Sequence, residues 1–202
     1  MKIYDSNTAP NPRRVRIFLA EKDIQIPYEQ VDLGKAVNRG PEFRQKNPMM
    51  TVPVLELDDG TYIAETVAIC RYFEELHPTP PLLGVDTKDR AIVEMWQRRM
   101  ELELLLPIAD AFRQRHDFFK GKIRQVPEYA EAQKQNAEDR LAWLNDEMAS
   151  RPFIAGDRYS IADITALVAI DFDRVSKIAI QPDQTHLKRW HETVLARPSA
   201  KA

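Results

Sequence analysis

Short apolar runs alternate with one amphipathic stretch at the start of the chain. Residues 2–5 and 28–33 have the composition of short strands. Between them, residues 13–22 carry apolar side chains at helical spacing, which predicts a helix that packs one face on a sheet and leaves its charged residues in water. Asn11 is a preferred N-cap residue and Pro12 suits the first helical position, so we expect this helix to begin there.

A hairpin led by a proline comes later in the first half of the chain. Residues 53–57 and 61–64 are strand-like runs separated by Asp-Asp-Gly, a sequence typical of a tight turn. Pro53 has no N–H to donate to a ladder, so it belongs at the first residue of its strand, and such a proline is often cis. A helix is then predicted to start at Glu65 and Thr66.

The order of these elements indicates the fold class. A polar connection at residues 35–46 carries a short predicted helix around residues 41–43, which completes the order β-α-β-α-β-β-α. This is the order of a thioredoxin-like α/β domain whose last two strands are antiparallel. Three prolines and a glycine between residues 77 and 86 are typical of a linker between domains. The expected division is an N-terminal domain at 1–78, a linker at 79–86 and a C-terminal domain at 87–202.

Helical spacing dominates the second half of the chain and predicts an all-α helical bundle. Thr87 is a suitable cap for a long helix, and Pro107 is expected to kink that helix because it removes a backbone hydrogen bond. A second helix is predicted over residues 127–150, and a last one before the Arg-Pro pair near residue 198. Ser160 and Asp163 match a capping box with Asp in place of Glu, so we interpret both as structural.

Composition excludes several classes of function. The chain has 29 Lys and Arg against 31 Asp and Glu, and its net charge of -2 leaves no basic excess for nucleic acid or an anionic membrane. Cys70 is the single cysteine, so no intrachain disulfide forms. The first residues lack the apolar core of a signal peptide, and no run approaches the roughly 18 apolar residues of a membrane span. We therefore expect a cytoplasmic protein with no nucleic-acid or membrane partner.

The predicted helix start at Glu65 and Thr66 has the chemistry of a binding site. The first N–H groups of a helix have no partner within it, and together with the Thr66 hydroxyl they form a seat for a carboxylate. The Glu65 carboxylate can meet an ammonium group. The pair therefore fits the zwitterionic head of an amino acid.

The sequence resembles the glutathione transferase family in three segments, which are residues 47–69, residues 6–22 and residues 153–165. The resemblance implies a thioredoxin-like N-terminal domain, an all-α C-terminal domain and glutathione as co-substrate. It also implies that a cis-proline loop at Thr51, Val52 and Pro53 binds the cysteinyl backbone of glutathione, and that Glu65 and Thr66 bind its γ-glutamyl end.

Other residues fit the resemblance less closely. Lys35 and Arg39 lie where the family often binds the glycyl carboxylate, although basic residues in a polar loop are often just solvated. Met49 and Met50 stand where the family commonly has a small residue and a glycine, and they either line the cleft or fill space. His116 has no second ligand at a suitable spacing, so no metal is expected.

Activation of the glutathione thiol depends on the loop before the first helix. The family commonly has a Tyr, Ser or Cys in this region to assist the sulfur, whereas residues 5–12 read DSNTAPNP. We identify Asn11 as the main candidate, with Ser6 and Thr8 as auxiliary hydroxyls, because the nu-like members of the family also place an asparagine after a proline there. A plain N-cap role suits Asn11 equally well. The lack of a cysteine argues against mixed-disulfide chemistry on the protein itself.

Two functions are consistent with this resemblance. The first is a glutathione transferase that stabilises the thiolate of glutathione and transfers it to a small hydrophobic electrophile, or uses it to reduce a peroxide or a disulfide. The second is a non-catalytic binding or interaction module with the same fold. The proline-led hairpin and the capped helix start favour the enzyme. The resemblance also implies a homodimer, with Met95, Arg98 and Arg99 as candidates for its surface.

Overall fold

The computed structural model describes the backbone of residues 1–202 and the side chains of all of them except 173 and 174. The chain divides into two compact units. The first consists of Met1–Leu82 together with Lys201–Ala202, and the second consists of Leu83–Ala200. No helix in the described chain is both long enough and apolar enough to cross a membrane.

The N-terminal unit is built on a mixed sheet. Its described strands are β1 (Lys2–Asp5), β2 (Tyr28–Gln30), β3 (Val54–Glu56) and β4 (Tyr62–Ala64). They are ordered β2-β1-β3-β4, with β1 parallel to β2 and with β3 antiparallel to both of its neighbours. The expected antiparallel pairing of the last two strands is therefore confirmed.

Three helices connect and cover these strands in the described part of the unit. They are α1 (Pro10–Glu21), α2 (Pro41–Lys46) and α3 (Thr66–Leu76). Val15, Ile17 and Phe18 of α1 are fully buried, as the apolar spacing predicts. The element order β-α-β-α-β-β-α is confirmed.

The expectation that the charged residues of α1 and its C-cap stay in water is wrong for two of them. Arg14 is 2% exposed and Lys22 is 8% exposed. The Lys22 Nζ lies 2.7 Å from Glu74 Oε2 and donates to the carbonyl oxygens of His77 and Pro80, each also at 2.7 Å. A buried ammonium is tolerated here because three acceptors replace its hydration.

The C-terminal unit is helical. Its described α-helices are α4 (Thr87–Met100), α5 (Leu106–Arg113), α6 (Pro127–Glu147), α7 (Ile161–Ile170), α8 (Asp173–Ser176) and α9 (Thr185–Leu195). All ten residues of α7 are buried, so this helix forms the centre of the unit, with α4 and α9 packed against it. The expected fold class, an α/β thioredoxin-like domain followed by an all-α bundle, is confirmed.

The two ends of α4 are determined by nearby residues. The cap of α4 is Asp86, whose side chain accepts the N–H of Asp89 at 2.9 Å, so the expected cap at Thr87 is one residue late. Ahead of Pro107, the helical run widens into a π-helical turn at Glu101–Leu105. This turn directly precedes the part of the helix from which Pro107 removes a backbone N–H.

Candidate functional site

The loop between β1 and α1 is fixed by a buried carboxylate. Asp5 is 1% exposed and accepts hydrogen bonds from Arg16 Nη1 at 2.7 Å and from Gln30 Nε2 at 2.6 Å. The Gln30 Oε1 in turn accepts the backbone N–H of Asn7 at 3.1 Å. Residues from a helix, two strands and the loop are joined in this way, so the loop has a defined position at the end of β1.

The two candidate hydroxyls of this loop lie next to each other. Ser6 Oγ is 3.3 Å from Thr8 Oγ1, which is within hydrogen-bond distance. Ser6 is 5% exposed, whereas Thr8 is exposed to solvent. The backbone N–H of Ala9 donates to the Ser6 carbonyl at 3.0 Å, so the loop turns directly into α1.

The expected N-cap role of Asn11 is wrong. The helix α1 begins at Pro10, and its N-cap is Ala9, whose backbone is extended. Pro10 occupies the first helical position, for which its fixed φ is suited, and this moves the start ahead of Pro12. Asn11 is therefore inside the first turn, where its Oδ1 accepts a hydrogen bond from Arg14 Nη1 at 3.2 Å.

The proline-led segment contains a cis peptide bond between Val52 and Pro53, as the sequence indicates. Val52 is 8% exposed, and because β3 begins at Val54, the backbone of Val52 lies outside the ladder. Thr51 precedes it and is exposed, with its carbonyl and hydroxyl oxygens accepting hydrogen bonds from Asn47 Nδ2 at 2.9 and 3.0 Å.

Asn47 shapes this segment, a role that no motif in the sequence indicates. Its side chain is 2% exposed, and its Oδ1 also accepts the N–H of Met49 at 3.0 Å. Asn38 Nδ2 donates to the carbonyl of Met50 at 2.6 Å, and Met50 has a left-handed backbone with φ of 55°. Met49 is 70% exposed, so it fills no space in the core. The Asn-Pro pair after α2 is a signal for a turn at this position but not for these contacts.

The start of α3 leaves its first donors without a side-chain cap. Its N-cap residue Glu65 has φ of 69° and ψ of 124°, a costly conformation for a residue with a side chain, and such residues concentrate at binding sites. Thr66 is the first helical residue and is 5% exposed, while Glu65 is exposed. The helix therefore presents unpaired N–H groups, and the exposed Glu65 carboxylate lies next to them along the chain.

An apolar cluster brings three of these segments together. It consists of Tyr4, Val31, Phe43, Val52 and Val54, and Ala9, Leu33 and Ala64 pack against it. Ala9 precedes α1, Val52 belongs to the cis-proline segment, and Ala64 precedes the start of α3. The loop before α1, the cis-proline segment and the N-terminus of α3 therefore lie beside one another in the N-terminal unit.

The two basic candidates are exposed residues of the polar connection that precedes α2. Lys35 is 82% exposed in its side chain, and its Nζ lies 3.7 Å from Asp32 Oδ2. Arg39 ends a 3-10 helix at Val37–Arg39 and is exposed. Among the described side chains, neither of the two is bonded to the residues of the cis-proline segment or of the α3 start.

Tyr4 is the tyrosine of β1, and its environment makes it unsuitable for sulfur chemistry. Burial, together with its hydrogen bond to Glu56 Oε2 at 2.6 Å, raises the pKa of Tyr4 to about 12. The Tyr4 hydroxyl therefore keeps its proton and donates a hydrogen bond to the Glu56 carboxylate rather than to a thiolate. Among the described residues, no group of three His, Cys, Asp or Glu side chains is placed to hold a metal ion.

Comparison with known proteins agrees with this geometry. Residues 8–76 match the family model for the N-terminal domain of glutathione S-transferase, and residues 91–198 match the model for its C-terminal domain. The chain is 36% identical over 208 residues to glutathione S-transferase 2 of Saccharomyces cerevisiae, which covers 100% of this chain and 88% of the relative.

A solved structure and a bacterial relative extend the comparison. The crystal structure of a glutathione S-transferase domain-containing protein from Marinobacter aquaeolei VT8 superposes with a TM-score of 0.95 at 40% identity, covering 98% of this chain and 99% of that one. The disulfide-bond oxidoreductase YfcG of Escherichia coli is 27% identical over 198 residues, which cover 94% of this chain and 88% of the relative. Both domains, their order and nearly the whole length are accounted for, and the chain belongs to the glutathione S-transferase family.

Proposed function

We propose that this enzyme binds glutathione in its N-terminal unit, stabilises the thiolate and transfers it to a small hydrophobic electrophile. The observation that supports this most is the packing of the α1 loop, the cis-proline segment and the α3 N-terminus around one apolar cluster. A tripeptide with a zwitterionic head, a peptide backbone and a thiol needs three such partners close together.

Each part of glutathione has a proposed partner in the N-terminal unit. The α-carboxylate of the γ-glutamyl group is held by the N-terminal donors of α3 and by the Thr66 hydroxyl, and its ammonium is held by Glu65. The cysteinyl backbone pairs with Val52, next to Thr51 and Pro53. The glycyl carboxylate is held by two residues of the preceding polar loop, Lys35 and Arg39.

The thiol is placed at the start of α1, where the proposed catalytic groups are Asn11, Ser6 and Thr8. The thiol loses its proton to solvent and becomes a thiolate, which the N-terminus of a helix and nearby hydrogen-bond donors stabilise. The sulfur then forms a bond to the electrophilic carbon, and a leaving group departs with the electron pair of its bond. Donors that are already in position for the anion reduce the cost of this step.

A second activity, glutathione-dependent disulfide reduction, is favoured by the similarity to the Escherichia coli oxidoreductase. One panel of assays separates the two activities: glutathione with an aryl halide, a peroxide or a disulfide. Binding of glutathione by calorimetry, with turnover in the aryl halide arm, supports conjugation. Binding without turnover in any arm contradicts both activities and favours the non-catalytic module.

We also propose that the protein is a cytoplasmic homodimer. Met95 is 40% exposed on α4, Arg98 lies 3.7 Å from Glu101, and the Arg99 guanidinium lies 4.7 Å from the centre of the Trp96 ring. An exposed apolar side chain among ordered arginines suits a symmetric interface. Sedimentation of wild type and Met95→Glu tests this proposal: a dimer that the substitution dissociates supports it, and a wild-type monomer of 23.4 kDa contradicts it.

A further inference from the structure

The side-chain amide of Asn11 contacts a buried cation. Arg14 follows Asn11 by three residues on α1, so the two side chains lie on one face of the helix. Arg14 is 2% exposed, and its Nη1 donates a hydrogen bond to Asn11 Oδ1 at 3.2 Å. Asn11 itself is partly exposed to solvent.

This contact defines which end of the amide points away from Arg14. A guanidinium carries only donors, so the group that faces it must be the acceptor, Oδ1. The NH2 group of Asn11 is then on the other side. Among the described residues, no acceptor lies within hydrogen-bond distance of Asn11 Nδ2, so both of its N–H groups are available to a ligand.

Few backbone donors are present at this end of α1. Pro10 and Pro12 have no N–H, and the N–H of Arg13 already faces the Ala9 carbonyl at 3.5 Å. The Asn11 amide therefore supplies donors that the two prolines withhold. A cation on the amide oxygen also polarises the group and strengthens its N–H donors.

We propose that Arg14 is a positioning residue for the glutathione sulfur. It holds the Asn11 carboxamide with its NH2 group facing the thiolate, and it acts on the sulfur through Asn11 rather than by direct contact. This inference rests on the proposed function, because it needs glutathione to place its sulfur at the start of α1.

A double-mutant cycle tests the inference. The pKa of the glutathione thiol is measured from thiolate absorbance in complexes of wild type, Asn11→Ala, Arg14→Met and the double variant. Each single substitution is expected to raise the pKa of the thiol by about one unit, which is a tenfold loss of thiolate at low pH. The double variant is expected to show no further rise, because Arg14 has nothing left to position. The KM for glutathione should change by less than about twofold, since the tripeptide is held mainly elsewhere.

The results distinguish a failure of the positioning role of Arg14 from a failure of the proposed function. Additive shifts in the double variant, or an unchanged thiol pKa in Arg14→Met, overturn the positioning role while the enzyme remains a glutathione transferase. Absence of glutathione binding to wild type overturns the proposed function itself. Arg13→Met is the matched control, because it removes a charge from the same turn and keeps Arg14, the donor to Asn11 Oδ1, and its pKa shift should be smaller than that of Arg14→Met.

A measurement on the wild-type protein covers the case in which Arg14→Met does not fold. The side-chain NH2 resonances of Asn11 in a nitrogen-proton spectrum are assigned by their loss in Asn11→Ala. They should shift on addition of glutathione and shift much less with S-methylglutathione, which cannot form a thiolate. Equal shifts with both ligands would contradict a contact between this amide and the thiolate, and with it the positioning role of Arg14.

Discussion

The indole Nε1 of Trp190 donates a hydrogen bond to Asp163 Oδ1 at 2.9 Å, and both side chains are buried in the C-terminal unit. The same oxygen accepts the N–H of Ile154 at 2.8 Å, and Oδ2 accepts the N–H of Ser160 at 2.9 Å. The predicted capping box at the start of α7 is thus present, and its carboxylate also joins α7 to α9 and to the preceding loop.

The Asp163→Ala substitution is expected to destabilise the protein strongly. It leaves the N–H groups of Trp190, Ile154 and Ser160 buried without an acceptor, and each such group costs about 1–3 kcal/mol. We expect a loss of at least about 3 kcal/mol in the free energy of unfolding, measured by urea denaturation at one protein concentration. Asp157→Ala removes an exposed carboxylate nearby and should change stability by less than about 0.5 kcal/mol. Equal effects of the two substitutions would contradict this role.

The same carboxyl group gives stability a defined pH dependence. Burial raises the pKa of Asp163 from 3.8 to about 6. Between these values the folded protein holds a proton that the unfolded chain has lost, so the free energy of unfolding falls as pH rises through this window. The contribution lost is about 3 kcal/mol. In urea denaturation, the difference in stability between wild type and Asp163→Asn should change by this amount from about pH 4 to about pH 7, moving against the wild type. A difference that does not change with pH contradicts the raised pKa.

Substitutions at the buried pair of Lys22 and Glu74 are expected to have strongly non-additive effects on stability. Lys22→Met removes the cation whose Nζ lies 2.7 Å from Glu74 Oε2, and breaking a buried pair in this way costs about 3–5 kcal/mol. Adding Glu74→Gln to this variant removes the negative charge of that side chain. The amide oxygen can still accept the N–H of Leu82, which lies 3.0 Å from Glu74 Oε1 in the wild type. The double variant should therefore be more stable than Lys22→Met alone in thermal unfolding. A double variant that is less stable than either single one rules out this account.

Local signals in the sequence were sufficient for most of the fold. The hairpin turn, the cis proline and the Ser160–Asp163 box each depend on residues within a few positions of one another, and all are present. Such features follow from the sequence because their physical cause is contained in it.

The sequence-based predictions fail where a residue's environment depends on residues that are distant in the sequence. The burial of Lys22 depends on Glu74 and on carbonyls more than fifty residues away, which no periodicity shows. The role of Asn47 is not visible in the sequence because its partners, Thr51 and Met49, come into place only once the chain turns. In the candidate site, the sequence indicates which residues could take part. It does not indicate the contact between Asn11 and Arg14, because that contact depends on α1 beginning at Pro10, ahead of Asn11.

The Thr66 hydroxyl is expected to contribute directly to glutathione affinity. A hydrogen bond to a charged group is worth about 1.5–3 kcal/mol, so Thr66→Ala should weaken binding about ten- to hundredfold in calorimetry. Thr66→Ser keeps the hydroxyl and should restore most of the affinity. Thr61→Ala, in the exposed turn before β4, is the control and should bind as wild type does. Unchanged affinity in Thr66→Ala would remove this residue from the proposed site.

The last prediction concerns the group that stabilises the glutathione thiolate. Because Asn11 is not the N-cap of α1, its replacement does not remove a cap, and effects on the sulfur can be measured without that loss of stability. Asn11→Asp keeps an oxygen for Arg14 but replaces the NH2 group with a second, negatively charged oxygen. Repulsion between this carboxylate and the thiolate should raise the pKa of the bound thiol more than any other single change in the loop.

Ser6→Ala and Thr8→Ala should each raise the thiol pKa less, because their hydroxyls lie 3.3 Å apart and one can partly replace the other. Removal of a principal donor can cost about a hundredfold in rate, whereas donors that share an anion should each cost less. Thiolate absorbance of the glutathione complex, followed against pH in the three variants and wild type, gives this ranking directly. If Ser6→Ala alone abolished the thiolate, the serine hydroxyl would be the principal donor, and Asn11 would lose that role.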